Sequence, residues 1–535
     1  MPLVVNRHRV DRDHVEAWHQ PRNDVVHELD PVVDPDGTWH FTMLRGPFHH
    51  WERTVGLAPR EAPGSEEGPT SDARPAELTV VETVQYRLAV PVWGPVFSWA
   101  LRRRLRHGHA PTAKPPWWAP PDVLDARAAT VLSLLCALGI AAGYLGTLIT
   151  QTITYAAEQF DASTTEQGTL LAVVRVGVVL SLVIVSIADR RGRRLVLLVA
   201  LLGSCAVTAL GAVAPGMVWL GATQTLARSL STVAAILIAV IAIEEMPKGA
   251  RAFAVSVLAM TAALGAGACV ANLLYVDVSP GAWRGAYLVP LLALVPIVRL
   301  GRDLPETLRF ELHRPELHHR QPATHGAPPS HPPTIAERFA WGRFVLLAAS
   351  GFCWSLFVAP AAQFLNEYLR TERDFSGVQI TAFVLLTNTP GGIGIIVGGR
   401  LAERRGRRLI GIIGVSGGVA LTVLTYLVWG WPLWAASAVA AVIGGMAIPA
   451  LAVYGPELFP TAQRARANGG LQVVAVAGSA VGLLAAGWLA DRLGGLGPAI
   501  ALLAVGPLIL VVLVATFYPE TAHQELEDIN PTDRI

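Results

Sequence analysis

From about residue 126 onward the chain is a series of apolar runs of roughly 20 residues, parted by short polar connections. No other feature narrows the fold so far. Twelve runs are read, at 128–155, 168–188, 195–214, 217–243, 253–276, 284–301, 343–365, 377–400, 409–429, 433–455, 467–489 and 498–518. Their length matches the hydrocarbon thickness of a bilayer when helical. They must be helical, because backbone in lipid has to satisfy its hydrogen bonds within the segment. Composition agrees: 52% of residues are hydrophobic and 15% charged, where a soluble protein carries nearer a quarter charged. The chain is therefore predicted to be an all-α membrane protein of twelve transmembrane helices behind a polar N-terminal extension, residues 1–125.

Arginine placement orients the helices. Counting connections between runs, the even ones carry Arg190, Arg191, Arg193 and Arg194, then Lys248 and Arg251, then a stretch rich in Arg and His, then Arg404, Arg405, Arg407 and Arg408, and finally Arg464 and Arg466. In most of the short odd connections acids balance or outnumber bases. Positive charge retained on the inner side puts the even connections and both termini in the cytoplasm. The expected location is the plasma membrane, as a multi-pass protein. Only Lys114 and Lys248 are lysines, an arginine bias that fits a GC-rich bacterial genome and hence a bacterial inner membrane. The first residues, MPLVVNRHRVDRDH, contain no apolar core, so no cleavable signal peptide is expected and the first span directs insertion. A net charge of +2 gives no global basic field and no indication of nucleic acid. Cys136, Cys205, Cys269 and Cys353 lie apart inside apolar runs, with neither metal-ligand spacing nor a disulfide framework. No cofactor and no metal is expected.

An internal repeat divides the spans. "ADRRGRR" (Ala188 to Arg194) returns as "AERRGRR" (Ala402 to Arg408), its acid shifted by 403 − 189 = 214 residues. Glu-x-x-Pro-x-x-x-Arg occurs at Glu244, Pro247 and Arg251 and again at Glu457, Pro460 and Arg464, an offset of 457 − 244 = 213. Pro-Glu-Thr occurs at Pro305 and Pro519, an offset of 214. Two pseudo-symmetric six-helix halves follow, at 126–302 and 343–520, with a Pro- and His-rich cytoplasmic linker at 303–342 and a cytoplasmic tail at 521–535. In the extension, Glu77 to Val92 partly alternates like a strand, and 94–108 forms a short helix with an apolar side and a basic end, suited to the headgroup layer. This strand-then-helix order weakly resembles the tail of a START-like polyketide-cyclase fold. A mostly disordered, membrane-hugging extension is the alternative.

The repeated acid-and-arginine clasp has a physical logic. An acid at the C-terminal end of a helix faces that helix's negative pole and needs an outside partner. Arginines across a tight turn supply one, and Gly192 and Gly406 permit the turn.

These motifs resemble the major facilitator superfamily, and within it the sugar-porter and metabolite:proton symporter groups. "YGPELFPTAQRARANG" (Tyr454 to Gly469), "YPETAHQELEDI" (Tyr518 to Ile529) and "AWR" (Ala282 to Arg284) carry the likeness, which covers residues 128–529. The resemblance implies a secondary transporter rather than an enzyme. It gives Asp189, Arg190, Arg193, Glu403, Arg404 and Arg407 the role of a cytoplasmic gate. Glu244, Arg251, Glu457 and Arg464 are expected to complete that network by exchanging ion pairs across the bundle. Arginines acting only as topology anchors are the alternative. Four residues before the clasp acid the family has Gly; Gly399 fits and Val185 departs, so the first clasp is expected to pack less tightly.

Charges deep in spans are expensive and usually functional. Arg175 lies near the middle of the second span, and Arg228 in the fourth matches an arginine that many family members use in proton coupling. In the first span Tyr144, Thr147, Gln151, Tyr155 and Glu158 recur at three- and four-residue spacing, a polar stripe expected to face a cavity. That span lacks the mid-span acid of many proton-coupled relatives, which leaves the coupling proton open. In the second half, Trp354, Gln363, Asn366, Asn388 and Gln472 are candidate substrate contacts or helix–helix links. Pro390 in "TNTPGG" is expected to bend the eighth span. Two arginines without a mid-span acid favour a small anionic substrate, carried by a monomer in contact with membrane lipid. A proton-driven drug exporter and a transporter-like sensor without flux are the alternatives.

Overall fold

The computed structural model describes residues 3–10, 12–57, 78–106, 116, 118–120, 122–247, 250–307, 340–459 and 461–521. Twelve helices among these are long and apolar enough to cross a membrane. They run Ala126–Phe160, Thr164–Val185, Arg193–Val213, Met217–Glu245, Phe253–Val278, Arg284–Asp303, Trp341–Glu372, Gly377–Ala402, Arg407–Leu427, Trp431–Ala452, Ala467–Leu493 and Leu496–Phe517. The expected all-α bundle of two six-helix halves stands. Most of the linker, residues 308–339, and of the tail, 522–535, lies outside the described residues.

Local chemistry starts and stops these helices. The Asp125 carboxylate caps the first span by accepting from the Ala128 N–H at 2.7 Å. Reciprocal capping boxes open the second span (Ser163 and Glu166) and the eighth (Ser376 and Gln379). Between the second and third spans the chain reverses at Gly192, φ +98°, and between the eighth and ninth at Gly406, φ +101°. Both values lie where a side chain is strained, which explains the glycine in each clasp. The eighth span breaks where Pro390 removes a backbone donor: one helix ends at Asn388 and the next begins at Gly391.

Within each half the packing repeats: first span on fifth, seventh on eleventh. Across the halves the second span packs on the eleventh and the fifth on the eighth. The second and eleventh approach backbone to backbone. A Cβ on Gly168 would lie 2.5 Å from the Leu483 carbonyl oxygen, and one on Gly487 2.5 Å from that of Thr164. The end of the bundle carrying the two glycine turns is called the clasp end below, and the opposite end the far end.

The extension is an ordered domain, which overturns the disordered alternative for its described residues. Strands β1 (Leu3–Val10), β2 (His27–Glu28), β3 (Val32–Val33), β4 (Trp39–Arg45), β5 (Phe48–Leu57) and β6 (Leu78–Leu88) form one antiparallel sheet. Its order is β1-β6-β5-β4-β2, with β3 also on β4. Helix α1 (Gly94–Arg106) lays Leu101 and Leu105 against Trp51, Val84 and Tyr86. The strand-then-helix order read from the sequence is present, but the sheet is far larger than its one predicted strand. Its interior is charged as well as apolar. Arg53 reaches Glu28 at 2.8 Å, and Arg22 reaches Glu82 at 3.0 Å and Asp24 at 3.1 Å. Arg104 also reaches Asp24, at 3.4 Å, so three arginines face three acids, and such a buried set is tolerable because the charges balance and are hydrogen-bonded. Burial alone would push the Glu82 carboxyl up, but His8, Arg22 and Arg53 outweigh it and hold it below the ordinary glutamate range. The domain docks at the clasp end: Thr130 Oγ1 donates to the Ala89 carbonyl at 3.0 Å, and Trp93 Nε1 donates to the Ser133 carbonyl at 3.2 Å.

Candidate functional site at the seam between the halves

Arg175 and Arg228 stand at one depth. Each lies 11 residues from the far-end start of its helix (175 − 164 and 228 − 217), or about 16 Å along the axis. Both are half-buried, and their like charges act on each other. The Arg175 guanidinium crosses the seam to the Gln363 amide of the seventh span. In the amide orientation that satisfies both groups, the Gln363 oxygen accepts from Nε at 2.9 Å and Nη2 at 2.7 Å. The Arg228 guanidinium packs beside Gly146 of the first span, where an added Cβ would sit 3.4 Å from Nη1. Among the described residues it has no hydrogen-bonding or anionic partner. The site thus presents two cations, one against a neutral amide and one without a partner.

The polar stripe of the first span does not line a single cavity, contrary to expectation. Tyr144 donates to the Ala286 carbonyl of the sixth span at 2.7 Å and accepts from Asn272 at 2.9 Å. Thr147 bonds its own helix at Gly143, 2.9 Å away. Gln151 crosses the seam, its amide oxygen accepting from Asn366 Nδ2 at 2.9 Å. Tyr155 is buried beneath the Arg370 guanidinium, which lies 5.5 Å from its ring. Glu158 pairs with Arg370 at 3.5 Å. Residues 144 to 158 span about 21 Å along a helix, so one face meets different neighbours at each level. In the second half, Trp354 and Asn388 line a cavity of about 350 Å³ between the seventh, eighth, ninth and tenth spans. Gln472 is exposed on the eleventh.

Bonds joining the halves gather at the far end. Arg370 of the seventh span holds Asp277 of the fifth at 2.8 Å besides Glu158. Asp277 also accepts from the Gly377 N–H at 2.6 Å, and Asp491 of the eleventh span accepts from the Thr165 N–H at 3.0 Å.

At the clasp end the motif residues pair differently from the sequence expectation. Arg193 pairs with Glu244, and Arg407 with Glu457, so each pair closes inside its own half rather than across the bundle. Arg251 turns back to the Met246 carbonyl at 3.4 Å, and Arg404 is exposed. The side chains of Asp189, Arg190, Glu403 and Arg464 lie outside the described residues. Gly399 is not the tight contact that the motif suggested. A Cβ there would meet Pro449 at an ordinary 3.7 Å, whereas one on Gly398 would lie 2.4 Å from the Met446 Cα.

Sequence reasoning passed over two kinds of residue. Glu306 and Glu520, the acids of the two Pro-Glu-Thr repeats, cap the helices beyond the glycine turns. Glu306 Oε1 accepts from the N–H groups of Arg193 and Arg194 at 3.1 and 3.2 Å. Glu520 accepts from those of Arg407 and Arg408 at 2.9 and 3.2 Å. A carboxylate is favoured at a helix N-terminus, where N–H groups are otherwise unsatisfied. Their common offset was the available signal. The other is Glu367, 8% exposed, on the short helix after the seventh span breaks at Phe364. Its Oε2 has no hydrogen-bond partner among the described residues.

Twelve spans in two like halves, a central seam carrying polar and charged groups, and matched ion pairs at one end define a multi-pass secondary transporter. The family model of the Major Facilitator Superfamily matches residues 133–385 and 343–532, and the chain belongs to that family. Its fold is similar to the inward-open xylose transporter XylE of E. coli, at 16% identity and a TM-score of 0.60, over 76% of this chain and 99% of that one. It is also similar to a bacterial homolog of the human lysosomal transporter Spinster in an inward-facing, occupied conformation, at 14% identity and a TM-score of 0.57, over 76% and 98%. A third likeness is to the nucleoside transporter NupG, at 12% identity and a TM-score of 0.56, over 73% and 100%. No curated protein matches the chain significantly.

Proposed function

We propose that this transporter carries a small organic anion, a carboxylate above all, by alternating access at the level of Arg175 and Arg228. One observation carries the reading: the Arg228 guanidinium sits inside a spanning helix with no acid against it among the described residues. An intramembrane cation is costly unless something compensates it, and a bound anion does so during the cycle. Arg175 adds a second positive charge at the same depth, and its Gln363 partner neutralises nothing. Within the second half, the cavity of about 350 Å³ beside Trp354 and Asn388 is of a size that suits a small ligand.

The arginine distribution supports a cytoplasmic clasp end, both termini cytoplasmic, in the plasma membrane of a bacterium. With that orientation, bonds gathered at the far end seal the outer side, and the conformation faces inward. We read the protein as a monomer. For a coupling proton, Glu367, a buried carboxyl at the far-end seam, joins Arg228 as a candidate.

Purified full-length protein in proteoliposomes tests the reading. Uptake of radiolabelled organic acids, inhibited by other carboxylates and not by uncharged or cationic analogues, is the expected result. Flux of cationic drugs with no response to carboxylates supports the exporter instead. Ligand binding without flux supports a sensor that signals through the extension.

A further inference from the structure

The family fold does not account for the extension, and the extension creates a cleft that neither part has alone. About 310 Å³ in volume, it lies between α1 and the outer face of the first and fifth spans. That is within the usual range of ligand pockets, about 300–1,000 Å³. One wall is Val96, Phe97 and Leu101 of α1; the other includes Val257, Met260 and Leu264 of the fifth span. Met260 and Leu264 are 62% and 57% exposed, and on a spanning helix such outward positions meet hydrocarbon. The cleft therefore opens sideways into lipid.

Its two ends differ. Leu264 lies 13 residues inside the clasp-end start of its helix (264 − 251), about 20 Å along the axis. Toward the clasp end the lining turns polar at Asp24, whose carboxylate is held by Arg22 at 3.1 Å and Arg104 at 3.4 Å. Beyond them Arg103, seven residues on from Val96 and so on the same face of α1, is exposed. Arginine outnumbers acid there, while Val96 and Trp99 stand 62% and 65% exposed toward the other end of the helix. An amphipathic helix of this kind lies at the acyl–headgroup boundary, and its basic end favours anionic lipid.

We propose that the cleft is a binding site for one anionic phospholipid of the clasp-side leaflet, its acyl chain between α1 and the fifth span and its phosphate beside Arg103 and Arg104. The lipid is the third component of the joint between extension and bundle, beside the direct bonds at Thr130 and Ser133. The site is independent of the cargo reading, since it lies on the outer face of the bundle.

Native mass spectrometry of the full-length protein, titrated with phosphatidylglycerol or phosphatidylcholine, tests it. One phosphatidylglycerol should be retained about tenfold more strongly than phosphatidylcholine. Val257→Trp, which fills the cleft, should abolish retention. R103E alters one exposed side chain, so its fold is safe, and it should remove most of the preference for the anionic headgroup. A phosphatidylglycerol with a photoreactive acyl chain should label α1 or the fifth span near Val257. Equal retention of the two lipids, a preference unchanged by R103E, or labelling confined to other helices overturns the proposal.

Discussion

The two halves are alike at the clasp end and unlike at the centre. Arg193–Glu244 and Arg407–Glu457 are the same pair made twice, and Glu306 and Glu520 cap the following helices in the same way. Midway through the bundle the likeness ends. The first half supplies Arg175 and Arg228, and the second supplies Gln363, Asn366, Asn388 and Trp354, none of them charged. After duplication, the parts that let the halves rock kept one chemistry, because any cargo needs them. The central groups differ, so that one half is cationic there and the other neutral.

Neutralising the charged centre is the strongest way to break that contrast. Arg228→Ala should abolish uptake, by a factor of 100 or more in initial rate, with membrane insertion normal. Uptake that survives both this change and Arg175→Ala would remove the anion site. Next, Gln363→Glu would give Arg175 an acid across the seam and make the two centres complementary. Substrate affinity in equilibrium binding should fall about tenfold, or about 1.4 kcal/mol. Removing either cap, Glu306→Ala or Glu520→Ala, should cost about 1 kcal/mol and lower the melting temperature by about 2 °C, equally in the two halves. Glu244→Gln and Glu457→Gln should change transport only a few-fold each, since partly exposed ion pairs contribute weakly. A large difference between these two variants would show that the halves do not latch alike. Smallest of all, Gly399→Ala should leave melting and flux unchanged, because its Cβ finds ordinary room.

Much of this was written along the chain. Apolar length located the spans, and the first, read as 128–155, runs Ala126–Phe160. Pro390 marked the break in the eighth span because one missing N–H is a local event. The partners of Glu244 and Glu457 were not legible, because pairing depends on which ends of the bundle are closed. Tyr144 was misread because spacing defines a helix face but not the neighbour each level of it meets. In the extension, β6 was read only as a partial alternation, and β5 hid altogether, each behind its own charges. Their inward rows are Trp51, Arg53, Val55 and Val80, Glu82, Val84, Tyr86, so polar residues occupy core positions and blur the alternation. Only the partners from distant segments, Glu28 for Arg53 and Arg22 for Glu82, make that burial sensible.

The pairing of β1 with β6 sets a timetable for synthesis. Residues 3–10 have no sheet partner until 78–88 have been made, so the first strand waits through most of the extension. Residue 88 precedes the first span at 126 by 126 − 88 = 38 residues, roughly 2–8 s at a translation rate of about 5–20 residues per second. Sheet closure and the arrival of the first apolar segment at the membrane thus fall within one short interval. Slowing the closure of the sheet would present the insertion machinery with an unfolded leader, and hastening it would present a finished domain.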